Sequence, residues 1–207
     1  MTLAPGQIIF IIDDDASVRD SLEALFTSVQ LPTRTFASAE AFVEVLDADV
    51  RGCLLIDVRM PGMSGLELQR VLAKRQIRLP VIMLTGHGDV PMAVQAMKAG
   101  ATDFIQKPFS DQYLLDRVRE CLKTDRQAVE VQSERQRAAE RIARLTPRER
   151  QVMELMIEGK QSKVISSVLG ISERTVDVHR HNVMQKTGTR SVAELIYLSQ
   201  KALGSAD

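Results

Sequence analysis

The chain has 207 residues, 44% of them apolar, and 27 Lys/Arg balance 27 Asp/Glu; this length fits one large or two small domains. The charge is unevenly placed: residues 1–123 hold 13 Lys/Arg against 16 Asp/Glu, and residues 145–207 hold 9 against 7 with two of the three histidines, an imbalance too mild to imply nucleic acid by itself. The two cysteines, Cys53 and Cys121, lie too far apart for a disulfide framework or a zinc spacing, and Cys53 opens an apolar run as a buried thiol would. No apolar run approaches the roughly 20 residues of a membrane span. The N-terminal MTLAPGQ lacks the basic and apolar regions of a secretory leader. The expectation is a soluble protein of a reducing compartment, the cytoplasm.

Five apolar runs alternate with helical patterns over the first 123 residues. The predicted strands are 8–12, 34–36, 53–56, 81–84 and 103–105. The predicted helices are 16–30, 38–48, 64–76, 90–99 and 111–123. The strands are short and nearly continuously apolar, as buried parallel strands are. Alternating βα units give a doubly wound parallel sheet, whose ligands gather at the carboxyl ends of its strands. Residues 124–144, TDRQAVEVQSERQRAAERIAR, contain no Gly or Pro and are rich in helix formers, so they read as a polar helical linker that can run on from the helix reaching Lys123, with a disordered tether as the alternative. Beyond them only helices are predicted. Thr146, Pro147 and Glu149 make a capping box with Pro at the first helical position. Gly170 stops a second short helix. Ser172 caps a third helix, which runs to about Lys186 with Gly188 beyond it. The sequence SVAE at 191–194 is another capping box.

The strand ends carry the chemistry. The first ends in Asp13, Asp14 and Asp15, the third in Asp57 and the fourth in Thr85, and Lys107-Pro108 follows the fifth. Asp15, just before Ala16, reads as a helix N-cap. A parallel sheet brings the others to one edge. Clustered carboxylates repel unless a cation joins them, and oxygen donors of this kind suit Mg²⁺. Asp57, directly after the greasy Leu54-Leu55-Ile56, would then be a nucleophile forming an acyl phosphate, with Thr85 and Lys107 on the transferred oxygens.

These residues carry a resemblance. IIDDD at 11–15, LLIDVRMPGMSG at 54–65, MLTG at 83–86 and DFIQKPF at 103–109 resemble the receiver domain of two-component response regulators. The resemblance implies a flavodoxin-like (βα)5 fold with Asp57 as phosphoacceptor. It implies Mg²⁺ held by Asp14, Asp57 and the backbone carbonyl of Arg59, with Asp13 assisting, and Thr85 and Phe104 as a switch pair beside Lys107. A core phenylalanine is the competing reading of Phe104. The stretch GHGDVPMAVQAMKAG at 86–100 resembles the switch loop and fourth helix, with His87 two residues after Thr85.

LTPRERQV at 145–152, LGISERTVDVHRHNVMQKTG at 169–188 and SVAELI at 191–196 resemble the DNA-binding domain of NarL/FixJ (LuxR-type) regulators, and the receiver is most similar to the FixJ branch. The expected architecture is thus α/β plus all-α: a receiver over 1–123, a helical linker over 124–144, and a four-helix helix-turn-helix domain over 145–207. On the third of these helices Val176 and Val183, with His179 beside them, face the core. Val178 lies roughly 200° from Val176 at about 100° per residue, on a face shared with Arg174, His181, Asn182 and Gln185. The resemblance assigns base readout to Asp177, Val178 and His181, and phosphate contacts to Arg174, Thr175 and Arg180. Asn182 and Lys186 complete the candidate DNA contacts. Asp177 stands where some relatives carry lysine, and Ser162, Val164 and Ser166 depart from the usual scaffold helix.

The resemblance further implies a transcriptional activator with a sensor histidine kinase, promoter DNA and RNA polymerase as partners, and a homodimer when phosphorylated. Two rival readings meet the same residues. An aspartyl-phosphate phosphatase commonly places a second acid two residues after its nucleophile, where this chain has Arg59. A phosphate-independent DNA binder has no need of Asp14, Asp57, Thr85 and Lys107 together.

Overall fold

The computed structural model describes residues 6–47, 50–86 and 90–204. It divides into two compact units, 1–128 and 129–207. In the first unit the order is β1 (Ile8–Ile12), α1 (Ala16–Ser28), β2 (Thr33–Phe36), α2 (Ala39–Glu44), β3 (Gly52–Asp57), α3 (Gly65–Lys74), β4 (Val81–Thr85), α4 (Val90–Lys98) and β5 (Asp103–Gln106). The strands pair in parallel in the order β2-β1-β3-β4-β5.

Because side chains alternate along a strand, each strand feeds two cores. Ile9, Ile11, Cys53 and Leu55 pack with α1 through Leu22 and Phe26, and with Leu114, Val118 and Leu122 of α5 (Asp111–Ala143). Phe10, Ile12, Leu54 and Ile56 pack on the other face with Phe42 of α2 and with Leu68 and Leu72 of α3. Both faces are therefore covered, which is why the strands read as unbroken apolar runs. Cys53 and Cys121 are free buried thiols, and burial pushes the Cys53 thiol well up from its ordinary value. Gly52 opens β3 at φ +128°, and a Cβ there would stand 1.8 Å from the Ile8 carbonyl oxygen, so only glycine fits.

A buried polar cluster ties α5 to the opposite end of the sheet. Gln7 Nε2 donates to Leu122 O and to Asp125 Oδ2, each at 2.7 Å. The Arg51 guanidinium pairs with the same Asp125 carboxylate at 3.2 Å. Helix α5 continues to Ala143 rather than ending near 123. No Gly or Pro interrupts it, and Leu114, Val118, Cys121 and Asp125 form one buried stripe at helical spacing. Helix α2 is shorter than expected and ends at Glu44, with Val45 as its C-cap donating its N–H to Phe42 O.

The second unit contains the last turns of α5 and helices α6 (Pro147–Ile157), α7 (Ser162–Leu169), α8 (Glu173–Thr187) and α9 (Val192–Leu203). Thr146 and Glu149 form the expected capping box, with Pro at the start of α6. Gly170 and Gly188 end α7 and α8 in the left-handed conformation. Ser191 caps α9, but the box is not reciprocal, because Glu194 Oε2 accepts from Arg190 N one residue earlier. Leu145, Val152, Met156, Ile165, Val176, Val183 and Leu195 form the core, with Ile142 of α5 against it. Among the described residues no helix is long and apolar enough to cross a membrane.

Candidate functional site

The strand order sets β1, β3, β4 and β5 side by side, so the residues at their carboxyl ends meet. Asp13 follows β1 and is 2% exposed; Asp57 ends β3 at 8%; Thr85 ends β4 at 1%. Lys107 lies just past β5, and its backbone N–H donates to Thr85 O at 2.7 Å. Its Nζ reaches Asp13 Oδ2 at 2.6 Å and Asp57 Oδ1 at 2.8 Å. Burial pulls the Lys107 ammonium toward neutrality, yet the bonds to Asp13 and Asp57 outweigh it and hold the pKa above the ordinary lysine value. The ammonium therefore joins two carboxylates that would otherwise repel.

Neighbouring groups fix each carboxylate. Asp57 Oδ2 accepts from Arg59 N at 2.8 Å. Asp13 Oδ1 accepts from Asp15 N at 3.0 Å, and Arg19 donates to Asp13 O at 2.6 Å. Asp15 is the N-cap of α1, as expected, accepting from Ser17 N. A Cβ on Gly65 would stand 2.6 Å from Asp57 O, so glycine lets α3 start hard against the strand end. Three residues escaped sequence reasoning: Glu40, Ser64 and Glu67. Glu40 Oε1 accepts from Met63 N at 2.7 Å and pins the loop after Asp57, a contact across 23 residues with no local signal. Ser64 and Glu67 form a capping box on α3, and their S-x-x-E spacing was a readable signal.

Asp14 and the Arg59 side chain are exposed. Phe104 is partly buried and packs against the core containing Phe10, Ile56 and Met83. His87 lies outside the described residues. Among the described residues no three His, Cys, Asp or Glu side chains form a metal-holding group. Mg²⁺ does not require one, since it takes one or two carboxylates and keeps several waters. Asp13, Asp14 and Asp57 bring three carboxylates to this sheet end, and the Lys107 ammonium bonds two of them. That oxygen-only donor set fits a hard divalent cation.

On α8, Val176 and Val183 are fully buried as expected, and Thr187 joins them. His179 is partly buried, and its Nδ1 has no hydrogen-bond partner among the described residues. Arg174, Asp177, Val178, His181 and Gln185 form one exposed face at helical spacing, with Val178 54% exposed. Ser172 caps the helix by accepting from Thr175 N, and its hydroxyl also meets the Thr175 hydroxyl at 2.8 Å. Arg180 and Asn182 are half-buried, and Arg180 donates to Lys160 O at 3.4 Å.

Lys186 is engaged elsewhere. Its Nζ bonds Glu149 Oε1 and Oε2 at 2.8 and 2.6 Å, tying α8 to the start of α6. Glu149 is buried, and the Lys186 bond, with help from the Thr146 backbone, holds its carboxyl down at about 2. The pairing spans 37 residues, so the sequence offered only Lys186's charge and position.

A sheet of this order with buried acids and a lysine at its strand ends, followed by a helix-turn-helix, defines a class: a phosphoacceptor domain joined to a helical DNA-binding domain. Residues 9–119 match the response regulator receiver domain, and residues 143–199 match the bacterial regulatory proteins of the luxR family. The chain belongs to the two-component response regulators of transcription that join these two domains, in the company of the FixJ proteins. It is 46% identical over 194 residues to the transcriptional regulatory protein FixJ of Azorhizobium caulinodans, covering 92% of this chain and 90% of that one. The structure of the response regulator StyR aligns with TM-score 0.88 and 43% identity over 95% of this chain and 99% of that one. Full-length FixJ from B. japonicum aligns with TM-score 0.60 and 42% identity over 99% of this chain and 100% of that one. These relatives are regulators of transcription rather than enzymes, which sets the phosphatase reading aside.

Proposed function

We propose that Asp57 accepts a phosphoryl group from a sensor histidine kinase and that the modified protein activates transcription from a promoter it binds. The observation that carries this reading is the Lys107 ammonium bridging Asp13 and Asp57. It holds the buried Asp57 carboxylate in place beside a cationic partner for phosphoryl oxygens. In the transfer an Asp57 carboxylate oxygen bonds to phosphorus, and the phosphorus–nitrogen bond of the kinase's phosphohistidine breaks, its electron pair leaving with the imidazole. Asp13, Asp14, Asp57 and the Arg59 carbonyl would hold Mg²⁺, which when bound offsets the carboxylate and phosphoryl charge. Lys107 then bonds a phosphoryl oxygen, the Thr85 hydroxyl donates to another, and the Phe104 ring follows Thr85 inward.

The receiver is residues 1–123, the DNA-binding domain 145–207, and 124–144 the helical link between them. Phosphorylation favours a homodimer on two DNA half-sites, which multiplies weak single-domain binding. Asp177, Val178 and His181 read base edges. Arg174, Thr175, Arg180 and Asn182 meet phosphates, and Lys186 serves chiefly as a strut that holds α8 at its angle. The protein works in the cytoplasm, with RNA polymerase as its downstream partner.

Incubation with a small phosphodonor and Mg²⁺, followed by peptide mass mapping, tests the first step. Modification of the peptide containing Asp57, absent in Asp57→Asn, is the expected result. Modification elsewhere, or unchanged modification of Asp57→Asn, would contradict it.

A further inference from the structure

On the exposed face of α8 formed by Arg174, Asp177, Val178, His181 and Gln185, Asp177 is acidic, and the exposed Glu173 lies one turn before it. An acid is an awkward choice there, because DNA presents a dense line of phosphates and a carboxylate pointed at them is repelled. It is nonetheless held in place. Ser162, the first residue of α7, donates its hydroxyl to Asp177 Oδ1 at 2.7 Å. That bond joins the two helices of the helix-turn-helix and fixes the carboxylate's direction. Among the described residues Oδ2 has no hydrogen bond. Resting on the DNA-binding reading above, we infer that the Ser162–Asp177 pair is a specificity device that selects a cytosine in each half-site of the operator.

The base follows from the chemistry of the group. An ionised carboxylate only accepts hydrogen bonds. In the major groove guanine offers only the acceptors N7 and O6, and thymine only O4 and its methyl group, so neither base can pair with Asp177. Two amino donors remain, adenine N6 and cytosine N4. Adenine N6 is flanked on both sides by acceptors, its own N7 and thymine O4, which repel a carboxylate. Cytosine N4 has an acceptor, guanine O6, on one side only, so cytosine is favoured. Asp177 lies in the N-terminal half of α8, the part of a recognition helix that meets base edges. Val178 beside it, 54% exposed, offers an apolar surface to a thymine methyl. Ser162 is the positioning residue: it occupies one oxygen and leaves the other for the base, so less rotamer freedom is lost on binding.

The test is selection from a random duplex library at fixed salt, using the full chain treated with a small phosphodonor and Mg²⁺. Wild type should enrich sites with one fixed cytosine per half-site. Asp177→Asn should turn that position to adenine, because an amide matches N6 and N7 together. The cytosine-to-adenine preference should change by roughly 5- to 150-fold, the range of one good base pairing. Ser162→Ala should keep cytosine but narrow its advantage by about threefold, the worth of one modest hydrogen bond, and Ser162→Thr should restore it. A purely structural role for Ser162 would weaken all sequences equally, and that result would overturn the positioning role. Unchanged base preference at every position in Asp177→Asn would overturn the inference and leave the DNA-binding reading standing. Wild type that is folded by circular dichroism but enriches no sequence would overturn both.

Discussion

At the end of the parallel sheet Asp13 and Asp57 are buried and share one ammonium, whereas on α8 Arg174, Asp177 and His181 stand in solvent. The two regions carry charge for different ends. Inside the sheet edge, water cannot screen the carboxylates, so each needs a bonded partner, and a change in one group must rearrange the others. That is the physics of a switch. On the exposed helix face the charges face water until a ligand arrives, and Asp177 leans on a neutral hydroxyl, that of Ser162, rather than on a shared ion. That is the physics of a reading surface. Breaking one group should therefore act globally in the first region and locally in the second.

The largest effect is expected at Lys107. Lys107→Gln leaves Asp13 and Asp57 without their shared cation, and the phosphodonor-induced gain in DNA affinity should vanish. A complete switch from 1:99 to 99:1 is worth about 5.5 kcal/mol, and the variant should show none of it in a binding titration. Next comes the buried strut of the second unit. Glu149→Ala leaves Lys186 unpaired and removes the reciprocal half of the α6 capping box, the Thr146 N–H bond to Glu149 Oε2, which should cost about 2–3 kcal/mol in chemical denaturation, below the full value of a buried pair because Lys186 is partly exposed. The pH dependence has a definite sign. Glu149 is held at about 2 against an ordinary 4.5, so its contribution is complete above about pH 4.5 and is lost as the pH falls through about 2. Wild type should lose this increment in acid, and Glu149→Ala should not.

Two aspartates sharpen the contrast directly. Asp125→Ala strips the buried partner from Gln7 and Arg51 and should destabilise the protein by about 2 kcal/mol. Asp177→Ala removes an equal charge from an exposed face and should shift stability by less than about 0.5 kcal/mol. The smallest effect belongs to a phosphate contact. Arg174→Gln should weaken binding to all sequences alike and lower the slope of log affinity against log salt by about 1.

The central strands β1, β3 and β4 were legible because both sheet faces are covered there, which makes nearly every position apolar. The caps at Asp15, Thr146 and Ser172, and the glycine stops at 170 and 188, were legible because their chemistry is local. The strand-end acids could be gathered into one site because a parallel sheet has one carboxyl edge. Other features had no local signature. The end of α2 at Glu44 is marked by no Gly or Pro beside it. Glu40 on Met63, Lys186 on Glu149 and Ser162 on Asp177 join residues 23, 37 and 15 apart, so their pairing appears only when helices are set side by side. Lys186 shows the consequence: its charge and position were legible, but its bond to the buried Glu149 was not.

The most direct test of the central claim is the affinity of the full chain for a selected operator at fixed salt, with and without a small phosphodonor and Mg²⁺, beside Asp57→Asn. Tighter binding only in treated wild type is the predicted result. Equal affinity in all four samples would contradict it and leave a DNA-binding protein whose receiver does not control it.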